Sequence, residues 1–148
     1  MRLITLALAA FIILLISAPL LVQSDYRWFH YAGTLIYVLA DPLCHQLPGR
    51  CLFIGQLPVP VCARCLAIYG GALVLCVTVL LKRPVQPWPL KAYGAMLGLV
   101  ILEITVEKVF SLPGSTILRM VSGFISGVII ARLVLESIFK MRISTTHG

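Results

Sequence analysis

Apolar residues run almost unbroken over positions 3–22, 62–81, 90–109 and 115–139, and polar residues collect in the gaps between them. Each run approaches the roughly 20 residues that a helix needs to cross a bilayer. The pattern therefore predicts an all-α membrane protein with four transmembrane helices. A fifth stretch, Trp28 to Ala40, is apolar and aromatic but too short to span, and Asp41-Pro42 stops it. A helix of that kind is interfacial or re-entrant, and it leads the chain to Cys44. Pro84, Pro87 and Pro89 interrupt the helical pattern after the second run, and Pro113-Gly114 ends the third.

Composition agrees with this reading. Of the 148 residues 60% are hydrophobic and 11% charged, and the mean hydropathy is +1.03. A soluble fold of this length has too little interior for that much apolar surface. The length suits one helical domain, residues 1–148. A net charge of +7 would fit nucleic acid if the basic residues formed a patch. They are scattered and sit near the ends of the apolar runs, where they act as topology signals and headgroup anchors; no nucleic-acid partner is expected, and the lipid bilayer is. The first run continues from Leu3 to Val22 without a cleavage-type break, so it is read as an uncleaved helix.

With the N-terminus in the cytoplasm, the inner side collects Arg2, Lys82, Arg83, Lys91, Lys140 and Arg142, and the outer side keeps Arg27, Arg50 and Lys108. The positive-inside rule then expects a multi-pass protein of the inner (plasma) membrane with both termini cytoplasmic. The segment that follows the short helix faces outward, into a compartment that permits disulfides.

That outward segment carries the chemistry. Four of the five cysteines lie within it, in Cys44-His45-Gln46-Leu47-Pro48-Gly49-Arg50-Cys51 and in Pro60-Val61-Cys62-Ala63-Arg64-Cys65. Cys62 and Cys65 are spaced to share one face at a helix start, where the partial positive charge of the helix end and Arg64 favour thiolate. Cys44, His45, Cys62 and Cys65 offer three sulfurs and one imidazole, a ligand set suited to zinc. A rival arrangement uses Cys44 with Cys51 and Cys62 with Cys65 as two disulfides or a dithiol relay. Membrane enzymes that pass thiol electrons to quinone, such as the vitamin K epoxide reductase family, are similar in logic but order their motifs differently. The plain alternative to both is cysteines packed as small apolar groups.

Cys44-His45-Gln46, Pro48, Arg50, then Pro60-Val61-Cys62-Ala63-Arg64-Cys65 and Tyr69-Gly70, resemble the signature of a prokaryotic integral-membrane family of unknown function, roughly C-H-Q-x-P-x-R-S followed by P-x-C-x-R-C-x-x-x-Y-x-G. Ser115-Thr116, Arg119, Ser122-Gly123 and Gly127 resemble that family's ending, and the likeness covers about residues 42 to 130. Cys51 stands where the family has serine, and Glu103 stands where it has aspartate. The resemblance implies a working set of Cys44, His45, Cys62 and Cys65, with Cys51 as an extra.

Glu103, Glu107 and Arg119 lie toward the outer ends of the third and fourth runs. Charges at that depth find partners, so a Glu103–Arg119 pair is expected, with Arg50 and Arg64 as further supporting charges. Arg132 and Glu136 form an i, i+4 pair. Gly94, Gly98, Gly123 and Gly127 allow close helix packing. Cys76 reads as packing, and His30 as a headgroup contact rather than a ligand. The functional expectation is a small membrane protein with a zinc or structural cysteine site, serving a larger membrane complex. The alternatives are a thiol–disulfide oxidoreductase coupled to quinone, and a structural subunit of a bioenergetic complex with a disulfide-stapled loop.

Overall fold

The computed structural model describes residues 1–44, 46–81, 88–109 and 115–144. Its helices are α1 (Arg2–Val22), α2 (Arg27–Ala40), α3 (Ala63–Leu80), α4 (Leu90–Val109) and α5 (Thr116–Ser144), and two short 3-10 turns precede a hairpin of β1 (Cys51–Ile54) and β2 (Leu57–Cys62). The helix limits follow the apolar runs closely. The expectations for Lys82, Arg83, Pro84, Pro87 and Pro113-Gly114 lie outside the described residues.

Among the described residues three helices are long and apolar enough to cross a membrane: α1, α3 and the Thr116–Ser137 part of α5. The fourth expected span, α4, has the length, 20 residues. Any 18-residue stretch of it, however, holds Glu103, Glu107 and at least one of Lys91 and Lys108. Each such charge is costly in hydrocarbon.

The all-helical expectation is corrected by the hairpin. β1 and β2 are antiparallel, pairing Cys51 with Cys62, Phe53 with Pro58 and Ile54 with Leu57, with a bulge between Cys51 and Phe53. Gly55 opens the two-residue turn at φ +65°, and Gln56 is not left-handed. A glycine in that place is the mark of a type II′ hairpin turn. The two prolines of β2 suit a two-stranded ribbon, where a strand can do without some of its ladder donors. The tip is tied to the end of α1 by Gln23, whose Nε2 donates to Ile54 O at 3.0 Å and to Pro19 O at 2.9 Å.

A small core forms where α1, α2 and β2 meet, from Leu15, Ala18, Ile36, Ala40, Val59 and Val61. Gly33, Ile36 and Ala40 are the buried residues of α2, spaced along one face. Trp28, Phe29 and Tyr31 on the same helix are exposed. At the α1–α2 corner His30 Nδ1 donates to Val22 O at 2.9 Å, so this imidazole caps the end of a helix.

The longest packing seam joins α3 and α5. A Cβ on Gly127 would collide with the carbonyl oxygen of Ile68, and one on Gly123 with that of Arg64. These glycines thus bring α5 against α3. Gly94 and Gly98 on α4 have no described atom within 4 Å of a built Cβ. Between α4 and α5 lies an apolar cavity of about 630 Å³ that is bordered by Glu103 and Glu107. Cys76 is buried, as packing predicts.

Substituting Gly127→Val should destabilise the protein by at least the ~1–3 kcal/mol typical of overpacking, because the atom it meets is backbone and cannot rotate away. Gly98→Ala should leave stability within roughly 0.5 kcal/mol. Unfolding of the detergent-solubilised variants by heat or denaturant measures both.

Candidate metal centre

Three segments bring three sulfurs together. α2 ends in a 3-10 turn, Asp41–Leu43, and Cys44 N–H donates to Ala40 O at 3.2 Å, which places Cys44 at the foot of that helix. β2 runs into α3 with Cys62 as the N-cap residue, and Cys65 sits in the first turn of α3. The Sγ atoms of Cys44, Cys62 and Cys65 all lie within 4.8 Å of one another. Zinc bound tetrahedrally at about 2.3 Å from each sulfur would hold them roughly 3.8 Å apart. The three cysteines therefore fit a metal after a modest contraction. His45 lies outside the described residues.

Local hydrogen bonds fix this arrangement. Cys62 N–H donates to Cys44 Sγ at 3.2 Å, and Cys65 N–H donates to Cys62 Sγ at 3.5 Å. Gln46, between Cys44 and the other two sulfurs, takes a left-handed backbone, φ 45°, and its Nε2 donates to Tyr37 O at 2.8 Å. The Tyr37 hydroxyl in turn donates to Pro58 O. The cluster is thus clamped between α2 and the hairpin.

The electrostatics separate Cys62 from Cys51. Donation from the Cys65 thiol, followed by the Cys65 N–H, the Cys44 thiol and the Arg64 N–H, outweighs burial and pulls the Cys62 thiol down to about 5. Burial pushes the Cys51 thiol up to about 11, with Cys44 and Cys62 adding to the shift. Cys51 is outside the three-sulfur group, and its Sγ donates to Leu47 O at 3.3 Å. Cys44 shares its group of close sulfurs with Cys62 and Cys65 and not with Cys51.

Beside the sulfurs runs a network of charges. Arg64 projects from between Cys62 and Cys65, but its guanidinium turns to α4: Nη2 lies 2.9 Å from both Glu103 oxygens and 3.1 Å from Glu107 Oε2. Its influence on Cys62 comes through the backbone N–H and not through the side-chain charge that the sequence suggested. Arg119 pairs with Glu107, its Nε donating at 3.1 Å, and reaches Gly49 O at 3.5 Å. Arg50 Nη2 is 3.9 Å from Glu107. The expected Glu103–Arg119 pair is absent among the described residues. Glu107, one turn further along α4, takes Arg119, and Glu103 takes Arg64. The i, i+4 spacing of the two glutamates on one helix face was the signal for this hub. The expected Arg132–Glu136 pair forms, at 3.1 Å.

Comparison with known proteins places these features. The model of the family described as "Predicted membrane protein (DUF2085)" matches residues 44–133. The chain belongs to that family. The matched segment starts at Cys44 and ends in α5, so the DUF2085 unit contains the three sulfurs, Arg50, Arg64, Glu103, Glu107 and Arg119, and leaves out α1 and α2. An uncharacterized protein of Methanocaldococcus jannaschii is 28% identical over 121 residues, covering 78% of this chain and 76% of its own length. No solved structure matches the chain. Family membership and three apolar helices together make this a membrane protein with a cysteine group able to hold a metal ion.

In reduced, metal-free protein the Cys62 thiol, depressed from 9.0 to about 5, should be alkylated by iodoacetamide above pH 5 and resist it below. An ordinary thiol would still be mostly protonated at pH 7. A pH series of alkylation rates, resolved by peptide mass, reads this directly; an inflection near 9 would contradict the hydrogen-bond pattern at Cys62.

Proposed function

We propose that this DUF2085 member is a four-span membrane protein that holds one structural zinc ion on its outer face through Cys44, Cys62 and Cys65, with His45 as the fourth ligand. The observation that carries the reading is the three-sulfur group. Its members come from the end of α2, the end of β2 and the first turn of α3; Cys62 and Cys65 flank one strand–helix junction, and Cys44 joins them from 18 residues before Cys62. A metal would tie the hairpin and α2 to the spanning helices, as structural zinc does in small folds. Three thiolates in one place repel each other unless a cation sits among them, and zinc supplies that charge.

α4 serves as the fourth span in this reading. Its carboxylates meet Arg64 and Arg119, with Arg50 nearby, so they need not face lipid unpaired. The positive-inside balance supports cytoplasmic termini, an inner-membrane location and an outward cysteine cap. The open space around Gly94 and Gly98 suits a helix of a partner subunit, in keeping with a role in a larger membrane complex. Thiol redox chemistry keeps one supporting observation, the acidity of Cys62; no feature of the described residues supports quinone as its electron acceptor.

Protein purified without chelator should carry about one zinc per chain. Cys62→Ser should lose most of it and unfold at lower temperature, while Cys51→Ser should retain it, as read by elemental analysis and thermal scans. Metal-free protein with two disulfides would replace the zinc reading by the stapled-loop one.

For topology, the exposed hairpin tip offers a probe. Gln56→Cys should react with a membrane-impermeant maleimide in intact cells. Reaction that requires broken cells would reverse the orientation.

A further inference from the structure

Cys51 and Cys62 face each other where the hairpin opens. The N–H of Cys51 bonds to Pro48 O, and the N–H of Cys62 bonds to Cys44 Sγ. Neither donates to the other, so the two form a non-hydrogen-bonded antiparallel pair. Facing Cα atoms in such pairs stand about 4.5 Å apart, with their side chains on one face at the shortest cross-strand separation. A disulfide accepts Cα separations of roughly 4.4–6.8 Å. The Cys51–Cys62 pairing, at which the ladder shifts register, is thus of the class that a bond between two cysteine sulfurs can close. What keeps them apart is the Cys51 side chain, turned to donate to Leu47 O at 3.3 Å, and a rotation about one side-chain torsion redirects it.

We propose that Cys51–Cys62 is a reversible disulfide site, and that forming it withdraws Cys62 from the metal. The effect on metal rests on the zinc reading above; the pairing of the two sulfurs rests on the hairpin register alone. Cys62 is partly exposed and Cys51 is 8% exposed, so Cys62 meets the oxidant first and Cys51 resolves it from within. With a hydroperoxide as oxidant, the Cys62 sulfur attacks the peroxide oxygen. The O–O bond breaks, a sulfenic acid forms, and water or alcohol leaves with a proton from solvent. The Cys51 sulfur then attacks Cys62 Sγ, the S–S bond forms, the S–O bond breaks, and water departs with the Cys51 proton. Two thiols lose two electrons and the peroxide gains them. Zinc keeps its charge and leaves because Cys44 and Cys65 remain as the only cluster sulfurs.

The test uses full-length protein in detergent, treated with stoichiometric hydrogen peroxide. Free zinc is followed with a chromophoric chelator, and linkages are mapped by mass spectrometry of a non-reduced digest. Wild type should release zinc and yield a peptide joining Cys51 to Cys62, and dithiothreitol with added zinc should restore the starting state. In Cys51→Ser the Cys62 sulfenic acid has no resolving partner and should be trapped by dimedone in at least about ten-fold higher yield than in wild type, and Cys76→Ser should behave as wild type. Equal dimedone labelling of Cys62 in wild type and Cys51→Ser, a linkage of Cys62 to Cys65 or of Cys44 to Cys51, or no linkage in oxidised wild type would each overturn the proposal. If the preparation binds no zinc, the metal reading fails by itself. Mapping of wild type then decides the disulfide site without it, and the same mapping decides it if Cys51→Ser does not fold.

Discussion

The cysteine-bearing half of this protein depends on satisfying two carboxylates in an apolar setting. Glu103 and Glu107 stand on one face of α4 beside an apolar cavity, with side chains 9% and 12% exposed. A carboxylate so placed must be paired or neutralised. The partners come from separate parts of the chain: Arg64 from α3, Arg119 from α5 and Arg50 from the loop before the hairpin. One requirement thereby fixes the relative positions of three helices and the cysteine segment. Arg64 also carries the constraint into the cluster, because it stands between two of the sulfurs.

The helices were legible because membrane insertion writes itself into sequence as length and apolarity. The limits of α1 through α5 fall within a few residues of the apolar runs, α5 extending furthest beyond its run. Which glycine meets which helix was not legible. Small residues declare that a close approach exists, and only the fold shows that Gly123 and Gly127 face Arg64 and Ile68. The Glu103–Arg119 pair failed for a related reason. Glu103 and Arg119 were matched by depth alone, whereas pairing also depends on rotation about the helix axis, and one turn along α4 decides it.

The hairpin was not legible because Pro58 and Pro60 carry no ladder donor and are poor strand residues. Ile54-Gly55-Gln56-Leu57 was the available turn signal, followed by Val59, Pro60 and Val61, all buried. Of the cysteines, the sequence singled out the three that meet. It could not show that Cys51, though near in sequence, points its sulfur at Leu47 O, since a side-chain rotamer leaves no trace in spacing.

The attachment of the hairpin to α1 also has a meaning for how the molecule is made. A ribosome delivers chains from the N-terminal end, so α1, α2 and Cys44 exist before β2 and α3. Leu15, Ala18, Ile36 and Ala40 offer a finished surface on which Val59 and Val61 can settle as they emerge. Cys62 and Cys65 then arrive with Arg64, whose carboxylate partners on α4 are still some 40 residues from synthesis. During that interval the guanidinium has only water, lipid phosphate or the insertion machinery to neutralise it. The order of translation therefore brings out all three sulfur-bearing segments before the helix that carries the carboxylate partners of Arg64.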